Sequence, residues 1–203
     1  TSANLLGLSC RCRGNRCNGK IECTLPSPLH PPPRLNMSTL WIFGDDVNTD
    51  QIVPGRFAPY MTSEAELRRF PFIEARPEFP ELVQPGDVIV AGPNFGCGSS
   101  REYAAQALAL CELGAILAPS FARIFYRNAL NLGLPLIEVP AEELSPLRDR
   151  DPISLDLDSC ELRHANGRIA LRKPASFTRE IWQAGGLIPY FQRTGHFPGE
   201  VAL

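Results

Sequence analysis

Long apolar runs are missing from this sequence, and with them the usual means of crossing a membrane, because no stretch approaches the roughly 20 residues a spanning helix needs. Charge of one sign is missing too. Twenty Lys and Arg against 22 Asp and Glu leave a net charge of -2, which argues against a nucleic-acid surface as the main business of the chain. Histidine is scarce: His30, His164 and His196 lie far in sequence from any other candidate site, so a histidine-based triad has no obvious base, although folding could bring His196 to one. There is no Gly-Lys-Ser/Thr phosphate loop, no complete Gly-x-Gly-x-x-Gly and no Cys-x-x-Cys. These absences remove the common nucleotide sites and the common zinc modules.

What is present describes an ordinary globular chain. Its 203 residues, 44% hydrophobic and 21% charged, are enough for one domain with a sizeable core. The average hides a split at Met37. Residues 1–36 hold five of the basic residues, one acid and four of the seven cysteines, with no helical or strand period; the rest carries 15 basic and 21 acidic residues. Cys10, Cys12, Cys17 and Cys23 lack the paired spacing of zinc modules, and a transit peptide is one alternative for so basic a segment. The expectation is that Met37 is the natural start, with 1–36 a disordered or non-native extension and 37–203 the domain. Only Cys97, Cys111 and Cys160 then remain, which suggests reduced thiols and a cytoplasmic protein.

Leu40 to Phe43 is a short apolar run that predicts a buried strand, and the polar segment Asp45 to Gly55 behind it suits a metal loop, a capping cluster or part of an active site. Ser63 and Glu66 predict a capping box on a short helix. After Gln84-Pro-Gly-Asp87, a turn, the run Val88 to Ala91 predicts a central strand. Further strands are expected at 115–118, 134–139 and 153–157, and a hairpin around Ala165-Asn-Gly-Arg168. Helices are expected after Ser99, with Ala104, Ala107, Leu108 and Cys111 on one stripe, after Ser120 as cap, and over 177–183 and 187–193. The second stripe runs through Phe121, Ile124, Phe125, Ala129 and Leu132, with Asn128 inside it as either a structural clamp or a support for the glycine turn. The fold class is α/β, one domain with a mixed sheet.

The most chemically loaded stretch is Gly92 to Glu102, Gly-Pro-Asn-Phe-Gly-Cys-Gly-Ser-Ser-Arg-Glu. Strand, glycine turn and helix follow one another here. Gly96 and Gly98 allow close approach to the backbone, and Ser99 with Glu102 has the spacing of a capping box. Two hydroxyls, free amides, the positive end of a helix and the Arg101 guanidinium would converge on one anion. A plain helix cap fits the same spacing. Cys97, at a helix start, is a candidate nucleophile and equally a small filler.

The order Asn48-Thr-Asp-Gln-Ile, Gly96-Cys-Gly-Ser-Ser-Arg-Glu, Ala118-Pro-Ser-Phe-Ala-Arg-Ile-Phe and Asn131-Leu-Gly-Leu-Pro-Leu resembles the small subunits of the 3-isopropylmalate dehydratase and homoaconitase family, within the aconitase superfamily, over residues 37 to about 200. The resemblance implies a swivelling β/β/α domain that pairs with a separate large subunit, as heterodimer or heterotetramer, and a [4Fe-4S] cluster carried by that partner. It also implies roles. Ser99 matches the serine base, Ser100 and Arg101 match residues that hold a substrate carboxylate, and Thr49 and Asp50 match a Thr-Asp pair lining the site. Cys97 stands where aconitases have glutamate and agrees with the dehydratase branch. In the variable loop Pro54 to Tyr60, Phe57, Ala58 and Pro59 favour an isopropyl substituent, whereas Arg56 would serve an extra carboxylate. The expected activity is isomerisation of 2-isopropylmalate to 3-isopropylmalate, with homoaconitase as the alternative.

Overall fold

The strands form first as short apolar runs and then as alternating ones, and the sheet is divided accordingly. In the computed structural model, which describes residues 37–198, β1 (Ser38–Ile42), β2 (Val88–Val90), β3 (Ala115–Ala118) and β4 (Leu136–Glu138) are parallel, while β5 (Pro152–Asp156), β6 (Glu161–His164) and β7 (Gly167–Ala170) continue the sheet antiparallel from β1. The order is β4-β3-β2-β1-β5-β6-β7. The mixed sheet is as expected. The expectation for residues 1–36 lies outside the described residues.

Period-two alternation sends the central strands' side chains into two cores. Trp41, Ile89 and Ile116 pack one face against α4 (Glu102–Ala109) and α5 (Arg123–Asn131). Leu40, Val88, Val90 and Leu117 pack the other face with Ile153, Leu162, Ile169 and Leu171 from the antiparallel part. The stripe Ala104, Ala107, Leu108 and Cys111 is fully buried as its spacing requires. Its small residues let α4 lie close to the sheet.

A long excursion leaves β1 and returns at β2, through α1 (Thr49–Ile52), a 3-10 turn (Gly55–Tyr60), α2 (Glu64–Leu67) and α3 (Phe79–Leu82). Two polar knots pin it. Buried Asp87 accepts from the Thr39 amide at 2.8 Å, the Trp41 indole N–H at 2.9 Å and the Gln84 amide at 3.0 Å, so the turn into β2 and the strand β1 share one carboxylate. Arg76 donates twice to Asp149, at 2.9 and 3.0 Å, and lies over the Trp41 ring. The chain closes with α6 (Ala141–Leu144), α7 (Ser176–Ala184) and α8 (Leu187–Thr194), the last two separated by Gly185 and Gly186.

Some local expectations shift. Ser63 does cap α2, but Glu66 turns to Thr62 instead of back to the cap. The hairpin loop is Ala165-Asn166, with Gly167 already paired to His164. On α5, Ile124 is exposed and Asn128 only half-buried, so the buried stripe narrows to Phe125 and Ala129.

Candidate active site at the carboxyl ends of the parallel strands

Parallel strands leave their carboxyl ends side by side, and in open α/β sheets that edge is where ligands bind. Here the exits of β1, β2 and β3 are laced together. The Gly92 amide donates to Gly44 O at 3.0 Å, and a Cβ on Gly92 would fall 1.9 Å from an Asp45 carboxylate oxygen, which only glycine tolerates. Asp46 donates its amide to Pro93 O and accepts from the Asn94 side chain at 2.8 Å. The Gly96 amide donates to Val47 O at 2.7 Å, and the Thr49 amide to Cys97 O at 2.9 Å. From the β3 exit, Ser120 accepts the Asn94 amide on its hydroxyl and the Phe95 amide on its carbonyl.

Two helix starts differ from expectation for this reason. The Ser99–Glu102 spacing forms no capping box: α4 begins at Glu102 with Arg101 at the cap position, in extended conformation, and no side chain caps it. Gly96 and Gly98, at φ +79° and +94°, carry the chain across α1 before it can turn helical. Ser120 does not cap α5 either, since α5 starts at Arg123 and the hydroxyl serves Asn94. The real box is Asn48 with Gln51, which opens α1 reciprocally. The sequence signal was there, Asn-x-x-Gln, inside a segment that looked like an irregular polar loop.

The predicted site residues separate into three groups. Ser99 and Ser100 are exposed, and the amides of Gly98, Ser99 and Ser100 donate to no acceptor among the described residues. Beside them, the Arg101 guanidinium is ion-paired to Asp50, whose carboxylate also accepts the Gly55 amide at 3.3 Å. Gly55 is the floor of this pair: a Cβ there would stand 3.1 Å from an Arg101 nitrogen. The hydrogen bond to Asp50 holds the Arg101 pKa above its already high value, so the guanidinium stays charged at any working pH. Thr49 is brought to the same place but is 2% exposed, roofed by Gly98. Arg56, by contrast, turns away to Glu74 at 2.6 Å and over the Phe57 ring, which itself stacks on Phe70 at 4.7 Å.

Among the described residues the thiols and imidazoles do not assemble into a site. Cys97 is half-buried with its Sγ donating to Asp46 O at 3.4 Å. Cys111 lies in one core and Cys160 in the other, and burial pushes the Cys111 thiol up to about 11. Among the described residues no three His, Cys, Asp or Glu gather as a metal site. His196 sits against Tyr190 at the end of α8. What the arrangement can do is receive an anion at Arg101, with two hydroxyls and three free amides on the same open face.

The family profile of the aconitase C-terminal domain matches residues 60–142. A small subunit of 3-isopropylmalate dehydratase from Deinococcus radiodurans is 50% identical over 164 residues, which is 81% of this chain and 92% of that one. The homoaconitase small subunit of Thermus thermophilus is 46% identical over 81% of this chain and its own whole length. Among solved structures, a 3-isopropylmalate dehydratase from Methanocaldococcus jannaschii superposes with a TM-score of 0.71 at 42% identity, covering 78% of this chain and 94% of that one. The chain therefore belongs to the family of 3-isopropylmalate dehydratase small subunits and their homoaconitase relatives, within the aconitase superfamily.

Proposed function

We propose that this chain is the small subunit of a two-chain hydro-lyase that isomerises 2-isopropylmalate to 3-isopropylmalate by way of isopropylmaleate, in the cytoplasm. The observation that carries this reading is the open face on which Ser99, Ser100 and the Asp50–Arg101 pair stand together. Such a face is half of a site. The other half, with its [4Fe-4S] cluster, belongs to a large subunit, and closure against it completes the domain's swivelling action.

Within this chain the roles are those the family resemblance implies, and the geometry supports them. Arg101 holds a substrate carboxylate through its planar fork, assisted by the Ser100 hydroxyl. Asp50 keeps the fork aimed through its ion pair with Arg101. Ser99 removes the proton next to that carboxylate. A serine does this only if its alkoxide is strongly stabilised, and the free amides of Gly98 to Ser100, the start of α4, Arg101 and exclusion of water on closure are the means.

The test is reconstitution of the full chain with a large subunit of the same family. Expected is interconversion of 2- and 3-isopropylmalate by the complex and none by this chain alone. Activity of the single chain without iron would overturn the two-subunit reading.

A further inference from the structure

Thr49 carries an unresolved hydrogen bond. It is 2% exposed, and its hydroxyl is the one buried side-chain polar atom among the described residues without a partner. A buried hydroxyl in that condition destabilises whatever state buries it. Nothing else about the residue is loose. Its amide donates to Cys97 O at 2.9 Å, its carbonyl accepts from the Val53 amide at 3.0 Å, and Asn48 before it is locked in the reciprocal cap with Gln51.

The cover over the hydroxyl is Gly98, where a Cβ would stand 3.4 Å from the Thr49 oxygen. From Gly98 onward come the three consecutive amides, Gly98, Ser99 and Ser100, that have no acceptor. The unpartnered Thr49 hydroxyl thus lies against Gly98, the first of three exposed residues whose amides have no protein acceptor, in the segment that carries the serine of the proposed reaction. Gly98, in a left-handed conformation that costs glycine little, is where such a segment can readjust.

We infer that Thr49 is a positioning residue: when the domain closes on its large subunit, the 97–101 segment is drawn down, one of its free amides donates to the Thr49 hydroxyl, and that bond fixes where the Ser99 oxygen stands. The inference rests on the function proposed above. Thr49 itself touches neither substrate nor reacting atoms and acts through the backbone of Gly98 to Ser100. In the free chain its hydroxyl brings only a cost.

Two variants separate this from a merely structural threonine. Thr49→Val keeps the shape and removes the hydroxyl; Thr49→Ser keeps the hydroxyl. For the full chain alone, the thermal unfolding midpoint of the valine variant should equal or exceed that of wild type. In the reconstituted complex the same variant should lower kcat by about 10- to 100-fold, the scale of a small misplacement of a reacting group, with KM nearly unchanged, and the serine variant should restore most of it. A clearly lower midpoint for the valine variant would mean that the hydroxyl already has a partner in the free chain, and would overturn the proposal. So would a valine variant with undiminished kcat beside an active wild type. An inactive wild-type complex would instead overturn the proposed function, and this inference with it.

Discussion

The ring of Phe125 occupies the space that a side chain at Gly96 would need: an ideal Cβ on Gly96 falls 2.2 Å from the ring's Cγ. The glycine turn is thus seated on α5, and its position relative to the sheet is set by an aromatic side chain 29 positions away in sequence. Gly98, in the same turn, meets nothing closer than 3.4 Å. Gly96→Ala is therefore expected to cost about 2–4 kcal/mol, combining overpacking with a left-handed alanine, whereas Gly98→Ala should cost only about 1 kcal/mol. Adding Phe125→Ala to Gly96→Ala should relieve only the ring's part of the clash, since the Phe125 Cβ at 2.5 Å remains, so that the two changes are modestly less than additive in urea unfolding. Equal costs at the two glycines would contradict this seating.

Ser99 and Arg101 are surface groups in the free chain, so their loss should spare stability and strike activity. In the reconstituted complex, Ser99→Ala is expected to lower kcat by about 100-fold or more. Arg101→Lys should chiefly raise KM, because an ammonium cannot reproduce the fork that Asp50 holds in place. Cys97→Ala should retain most activity. Steady-state kinetics of the three variants decides the assignment: an inactive Cys97→Ala beside an active Ser99→Ala would transfer the chemistry to the thiol.

These residues show how far sequence alone reaches. The strand runs, the glycine break and the buried stripe of α4 were legible because each depends on neighbours within one or two turns of chain. The start of α4 was not. Ser99 and Glu102 have the spacing of a capping box, but Gly96 and Cys97 are bonded across to Val47 and Thr49, and that pairing between distant segments keeps Ser99 to Arg101 out of the helix. The Asn48–Gln51 box went unnoticed for the converse reason, since a four-residue helix leaves no period to see. Arg56 was legible as a charge in a variable loop, but its partner Glu74 could be found only from the fold.

The knot around Arg76 gives the fold an acid limit. Burial pulls the Asp149 carboxyl upward, but the hydrogen bonds from Arg76 and the Ile42 amide, with the charges of Arg76 and Arg150, outweigh it and hold the group below its ordinary value. A carboxylate depressed in the folded state contributes stability that is fully present above its unfolded pKa and is lost as pH falls through the folded one. The difference in urea midpoint between wild type and Asp149→Asn should thus be constant from neutral pH down to about pH 4 and shrink below it. A difference that instead grew toward low pH would show that Asp149 is not held as an anion by Arg76.

We propose that the choice of substrate turns on where Arg56 points. It stands one residue after Gly55, against which Arg101 lies, and on that proximity in the chain the proposal rests. Its guanidinium is engaged by Glu74, yet both side chains are well exposed, 70% and 45%, and an exposed pair of this kind is worth about 0–1 kcal/mol. Arg56 can therefore leave Glu74 at little cost if something better is offered. An isopropyl group offers nothing to a cation, whereas the longer acid arm of homoaconitate offers a carboxylate. As long as Arg56 stays on Glu74, the wild-type complex should favour the isopropyl substrate by more than ~100-fold in kcat/KM, because the acid arm would then be buried unpaired; movement of Arg56 to that arm would remove the preference. Glu74→Gln, which frees Arg56 from a pair worth about 0–1 kcal/mol, should narrow that preference by no more than about 5-fold. Arg56→Ala should leave turnover of isopropylmalate nearly intact. Comparing both substrates in wild type and the two variants checks all three expectations at once. A wild-type preference for homoaconitate that Arg56→Ala abolishes would make Arg56 the receptor of the acid arm and this chain a homoaconitase subunit.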